Sequence, residues 1–169
     1  MSVNFFTQGR KQSSDKETFG LCDDTIGRDK KPAYLDEKND EKWIAEVHNL
    51  SRITVNFYAI DCCVVWYKSN GDFAKACDGM ISFNEGKNIF FVELKNRDPS
   101  YKKWRIEAED QLKSTIECFR QYHETDGILI KAYACNKQAL FDVGEEEYLE
   151  KFKHDTGVTL RVFREINIV

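Results

Sequence analysis

The chain of 169 residues has no surplus of basic charge: 25 Lys and Arg stand against 29 Asp and Glu, a net charge of −4. That argues against broad coating of a polyanion, because nonspecific nucleic-acid affinity scales with the phosphates a protein neutralises. A local basic groove stays open. No apolar run approaches the ~20 residues of a membrane span. Met1 to Lys11 lacks the apolar stretch of a secretory leader, so the expectation is a cytoplasmic protein with no membrane partner. The six cysteines (22, 62, 63, 77, 118 and 135) show no Cys-x-x-Cys spacing, and there are three histidines. This excludes the usual zinc frameworks and predicts reduced, mostly buried thiols. A Gly-x-Ser-x-Gly elbow, a Walker A loop and a Gly-x-Gly-x-x-Gly turn are all missing, as are repeats and low-complexity segments.

What is present is enough apolar material for a core, 41% of residues, with 13% aromatic, which excludes compositional disorder. The length suits one domain. Residues 1–32 are polar and glycine-punctuated and read as an irregular arm or loop, leaving 33–169 as the domain. Trp43, Ile44, Val47 and Leu50 recur at helical spacing, which predicts a helix from Asp36 or Asp40 to Ser51 with Asp40 as its cap. Strands are predicted at 53–61, 76–83 and 89–95, the last two joined by a loop at 84–88. A helix follows from Trp104 to Tyr122, with Trp104, Ala108, Leu112, Thr115, Ile116 and Phe119 as its apolar stripe. A strand at 128–136, a short helix from Glu145 to His154 stopped by Gly157, and a strand from Thr159 to Ile168 complete the order α-β-β-β-α-β-α-β. The fold class is α/β, a mixed β-sheet flanked by helices.

The 76–95 hairpin contains the charges that need explaining. Glu93 sits between Val92 and Leu94 in an apolar run, where a carboxylate is costly unless paired or metal-bound. Strand alternation puts Glu93 and Lys95 on the face of Ile89 and Phe91, with Phe90, Val92 and Leu94 opposite. Pairing Asn84 with Ile89 sets Asp78 opposite Lys95 and Met80 opposite Glu93, which leaves Asp78 and Glu93 as diagonal neighbours roughly 7–8 Å apart. Two carboxylates at that spacing can reach one divalent ion, and a one-residue slip would destroy the arrangement.

Asp78-x14-Glu93-x-Lys95 resembles the signature of the PD-(D/E)xK nuclease superfamily, the restriction-endonuclease-like fold. That family's αβββαβ core matches the predicted order from Asp40 to Asn136, with an extra C-terminal αβ. Gln111-Leu112-Lys113-x-Thr115 is similar to the family helix that often contributes a glutamine. The resemblance implies metal-dependent phosphodiester hydrolysis, with DNA the expected substrate. Asp78, Glu93 and the Leu94 carbonyl would bind Mg²⁺ or Mn²⁺, with Glu46 of the predicted first helix as a further acid. Lys95 would orient or deprotonate the attacking water or neutralise charge on the phosphate. Gln111 would contact the water, the Lys95 amine or the substrate.

The stretch from Lys95 to Arg105 concentrates basic residues among aromatics. Arg97, Lys102, Lys103, Trp104 and Arg105 are its candidate substrate contacts, holding phosphates and stacking a base. Cutting both strands of a duplex would take a homodimer, because one site cuts one strand. The alternative keeps the fold without the chemistry, as a protein-binding module with an immunity or regulatory role. The acidic Glu145-Glu146-Glu147 run suits a basic protein partner, although it also suits a helix N-terminus.

Overall fold

A computed structural model describes residues 2–139 and 145–169 of the chain. It is a mixed α/β structure of two sheets. The elements are α1 (Phe5–Gln8), β1 (Arg10–Ser14), β2 (Thr18–Cys22), β3 (Tyr34–Asp36), a 3-10 turn (Asp40–Lys42), β4 (Ala45–His48), β5 (Val55–Ala59), β6 (Gly79–Phe83), β7 (Asn88–Lys95), α2 (Lys103–Tyr122), β8 (Leu129–Asn136), α3 (Glu146–Thr156), β9 (Thr159–Arg161) and β10 (Glu165–Asn167). The larger sheet runs β1-β5-β6-β7-β8-β9, the smaller β10-β4-β2-β3. Strands β5, β6 and β7 are antiparallel neighbours, and β8 returns parallel to β7 after α2. Among the described residues, no helix is long and apolar enough to cross a membrane.

The larger sheet has a core on each face, and the alternation of β7 shows why. Ile89 and Phe91 join Met80 under the α2 stripe of Trp104, Ala108, Leu112, Ile116 and Phe119. Phe90, Val92 and Leu94 face Phe19, Leu21, Ala45 and Val47 of the smaller sheet. A strand covered on both faces reads as a nearly continuous apolar run. Gly157, at φ +70°, ends α3 in the left-handed conformation and donates its N–H to the Lys153 carbonyl at 2.7 Å.

Three expectations are corrected. The helix predicted across 40–51 is instead one 3-10 turn followed by β4. Ala45 and Val47 are buried while Glu46 and His48 are partly exposed, a period of two, and Leu50, which completed the helical pattern, is 75% exposed. Pairing with β2 on one side and β10 on the other satisfies both edges of this strand, and those partners are distant in sequence. Residues 1–32 are not an irregular arm: β1 extends the larger sheet beside β5, and β2 is a central strand of the smaller one. Gly20 in β2 accommodates the Trp43 ring, which a Cβ there would meet at 1.9 Å. Finally, the single C-terminal strand divides into β9 and β10, which belong to different sheets.

The hairpin register also differs. Phe83 pairs with Asn88, Met80 with Phe91 and Gly79 with Val92. The turn begins one residue earlier than expected, because Asn84, Glu85 and Gly86 take φ of 52°, 57° and 82° and curl the chain back at once. Asparagine and glycine tolerate that left-handed region better than other residues. The change preserves the faces, so Asp78 and Glu93 stay on one side and come opposite each other rather than diagonal.

Candidate active site

Asp78, Glu93 and Lys95 converge at one end of the larger sheet, at the base of a cleft of about 610 Å³. Each of the three lines it, Glu93 at 1% exposure and the Lys95 side chain at 11%. Asp78 sits immediately before β6, and the carboxylates clasp each other's strand. The Asp78 N–H donates to Glu93 Oε2 at 3.1 Å, and the Leu94 N–H donates to Asp78 Oδ2 at 2.6 Å. Lys95 Nζ lies 2.6 Å from Glu93 Oε1 and donates to Gln111 Oε1 at 3.0 Å.

Helix α2 holds this constellation from one side. Gln111 Nε2 donates to the Ala76 carbonyl at 3.0 Å, and Thr115 Oγ1 accepts the Cys77 N–H at 2.8 Å while donating to the Gln111 carbonyl at 2.8 Å. One helical turn thus fixes both the lysine amine and the segment that delivers Asp78. On the other side, buried Asn136 of β8 accepts the Arg97 N–H at 3.2 Å and donates to the Arg97 carbonyl at 2.9 Å, which fixes the chain as it leaves β7. The N–H and C=O of one strand residue lie on the same side. The Leu94 carbonyl is therefore directed with its N–H toward Asp78, whereas the Lys95 carbonyl turns to β8 and accepts the Lys137 N–H at 2.8 Å.

Burial raises the pKa of both carboxyls. Asp78 is held well above the usual carboxylate range, first by desolvation, then by the charges of Glu93 and Asp23. Glu93 is pushed up to about 7 by desolvation, against which Lys95 acts. Two adjacent acids share one nearby ammonium, so the site lacks positive charge for full ionisation. A divalent cation would supply it, and hard oxygen donors suit Mg²⁺ or Mn²⁺. Among the described residues, no three His, Cys, Asp or Glu side chains form a ready metal set. The donors in hand are two carboxylates and one carbonyl, and Mg²⁺ commonly keeps several waters beside so few protein ligands.

The remaining candidates divide. Gln111 and Arg97 line the cleft. Glu46 does not reach it: on β4 it lies 3.4 Å from His48 Nε2, in register with Gly20 and Glu165. Trp104 is 2% exposed in the core under α2, so it offers no ring to a base. Arg105 is buried as well, with its guanidinium 4.6 Å from the centre of the Tyr148 ring and 3.6 Å from Glu145. Lys102 pairs with Glu145 at 3.1 Å, and Glu107 gathers Arg97 at 2.7 Å and Lys103 at 3.8 Å. The basic run is thus largely answered by the protein's own acids.

Sequence reasoning named neither Asp61, which follows β5, nor Asp23, after β2, as a site residue. Both line the cleft, with Lys30 3.5 Å from Asp61 and with Lys75. Asp61 ends the apolar ITVNFYAI run, a position of the same kind as Lys95 in β7, and that was the available signal. Asp23 carried none, because its position depends on the pairing of β2 with β4. The chain matches no family model, no curated protein and no solved structure.

Proposed function

We propose that the protein is a metal-dependent phosphodiesterase that cleaves a nucleic-acid backbone, a member of the PD-(D/E)xK superfamily. One observation carries the reading: Glu93, Lys95 and Gln111 form a bonded chain of carboxyl, amine and amide, and the Asp78 carboxyl is fixed on the adjacent Leu94 N–H while its own N–H donates to Glu93, all lining one open cleft. The succession around the motif, three antiparallel strands, a helix and a parallel strand, supports the resemblance. Asp78, Glu93 and the Leu94 carbonyl would hold Mg²⁺ or Mn²⁺. When bound, that ion would act as a Lewis acid on the phosphate and acidify a water.

The chain's own residues have separate tasks. Gln111 holds the Lys95 amine in place through its Oε1, and its Nε2 is anchored on Ala76. Lys95 presents an ammonium to charge developing on the phosphate and orients the nucleophilic water. Arg97, Lys30 and Lys75 rim the cleft and would offset the charge of neighbouring phosphates.

The test is incubation of plasmid, single-stranded DNA and RNA with Mg²⁺, Mn²⁺ or EDTA, using Lys95→Ala as control. Metal-dependent product lost in the variant supports the reading. The absence of product from every nucleic acid, with the fold verified by circular dichroism, removes it. A second reading, a protein-binding module on the same fold, is favoured by the internal pairing of Lys102, Lys103 and Arg105 with Glu107 and Glu145, which leaves little free basic surface in that stretch.

A further inference from the structure

Residues 66–74 form a small protruding hairpin to which the proposed chemistry assigns no task. Tyr67 and Phe73 pair as an antiparallel bridge. The Lys68 N–H donates to the Asp72 carbonyl at 2.8 Å and the Ala74 N–H to the Trp66 carbonyl at 3.1 Å. Gly71, at φ +86°, makes the reversal, and Asn70 Oδ1 accepts the Asp72 N–H at 3.0 Å. Alternation then separates the side chains. Trp66 and Ala74 point inward and are buried in the core, Trp66 5.7 Å from the Phe5 ring. Tyr67 and Phe73 point outward, 56% and 59% exposed, edge to face at 5.7 Å.

Two aromatic rings standing together in water on a braced support are a rigid, preorganised surface with a large apolar face. Their position adds to this. Phe73 and Lys75 line the carboxylate cleft, while Tyr67, Lys68 and Lys75 line a second groove of about 550 Å³ against α2. The hairpin is the wall between the two, and each ring has a lysine next to it or two residues away.

We propose that the Tyr67–Phe73 pair is a stacking platform for an unpaired nucleobase beside the scissile phosphate. The substrate is then a single-stranded nucleic acid or the single-stranded segment of a longer one. The choice of a nucleic acid rests on the reading of the cleft given above. Every base has an apolar face that an aromatic ring can cover, and adjacent ammonium groups suit the backbone phosphates. In a duplex those faces are already stacked, so the rings gain nothing from it. Stacking of this kind reads no base edges, and the preference is for unpaired character rather than sequence.

The test is fluorescence anisotropy of labelled single-stranded DNA, single-stranded RNA and duplex DNA in EDTA. It uses the full chain carrying Lys95→Ala so that cleavage cannot intervene, with and without Tyr67→Ala/Phe73→Ala. The expected result is binding of single strands weakened about tenfold or more by the double alanine change, with duplex binding little altered and Tyr67→Phe/Phe73→Trp restoring the single-strand affinity. Unchanged single-strand affinity overturns the platform, as does an equal loss for strand and duplex. So does a parent chain that binds no nucleic acid and instead captures a protein through these rings. Aromatic-dependent binding without cleavage by the unmodified chain supports the platform while removing the hydrolase. Lysine-dependent cleavage without aromatic-dependent binding does the reverse, so the two failures are distinguishable.

Discussion

The two faces of the larger sheet solve the burial problem in opposite ways. Toward the smaller sheet, Phe90, Val92, Leu94, Ile81 and Phe83 make an apolar layer. Toward α2 the same strands carry Met80, Ile89 and Phe91, then change at one end to Asp78, Glu93 and Lys95. The polar end is tolerated because each charged group has a partner within hydrogen-bond distance, and because the cleft opens there. A chain that needed only stability would place apolar residues at both ends. The asymmetry sets the helix-covered face, with its polar end, apart from the wholly apolar one.

The largest expected effect that sharpens this contrast is on the apolar face. Phe90→Ala should cost about 3–5 kcal/mol through lost burial and a residual cavity, measured by urea unfolding. A loss under about 1 kcal/mol would show that the smaller sheet does not seal that face. On the polar end, Lys95→Ala should leave the fold intact while metal-dependent cleavage falls about 10²–10³-fold, the scale of one preorganised group acting on developing charge. Unfolding of this variant in circular dichroism would make the lysine a structural element instead.

The third effect is a pH dependence confined to the polar end. Burial pushes the Glu93 carboxyl up to about 7, from 4.5 for an ordinary glutamate. The folded chain therefore holds that proton more tightly than the unfolded chain. The stability this confers is complete below pH ~4.5 and is lost as the pH rises through 7, at up to about 1.4 kcal/mol per pH unit. Glu93→Gln should flatten this slope in chemical denaturation from pH 4 to 8. Mg²⁺ or Mn²⁺ should raise the melting temperature at pH 8 more than at pH 5, and Asp78→Asn should abolish the rise. A metal effect that is equal at both pH values would exclude these acids as ligands.

Smaller effects probe the boundary between the faces. A Cβ at Gly79, beside Asp78, would meet the Phe57 ring at 2.3 Å, so Gly79→Ala should cost about 1–3 kcal/mol by overpacking. Thr115→Val removes the acceptor of the buried Cys77 N–H and should cost about 1–2 kcal/mol. If Thr115→Val also lowers kcat more than it raises KM, the helix positions Asp78 through Cys77. A thermal shift without a kinetic change would limit the threonine to stability.

Much of the site was legible in the order of residues because its parts are close in sequence. A hairpin brings Asp78, Glu93 and Lys95 within one turn of chain, and alternation assigns their faces in either of two registers. The α2 stripe was equally legible, since Trp104, Ala108, Leu112, Thr115, Ile116 and Phe119 are all buried. The errors have a common cause. Val47 and Trp43 satisfy a helical and a strand period at once, and the choice between them is made by β2 and β10, from opposite ends of the chain. Trp104 carried two readings, core stripe and base contact, and Arg105 one, as a substrate contact; the helix begins at Lys103 and turns both inward, which keeps only the core reading of Trp104.

The sequence by itself settled the α/β character, the central hairpin and the sidedness of its charges, because alternation and helical spacing are local properties of a chain. The second sheet, the two-residue shift in hairpin register and the arrival of Asp23 and Asp61 at the cleft were decided only in the folded chain. The register follows from the left-handed turn at Asn84, Glu85 and Gly86; the second sheet and the arrival of the two acids depend on backbone groups finding partners far away in sequence, and the free energy of that pairing belongs to the assembled sheets rather than to any one segment.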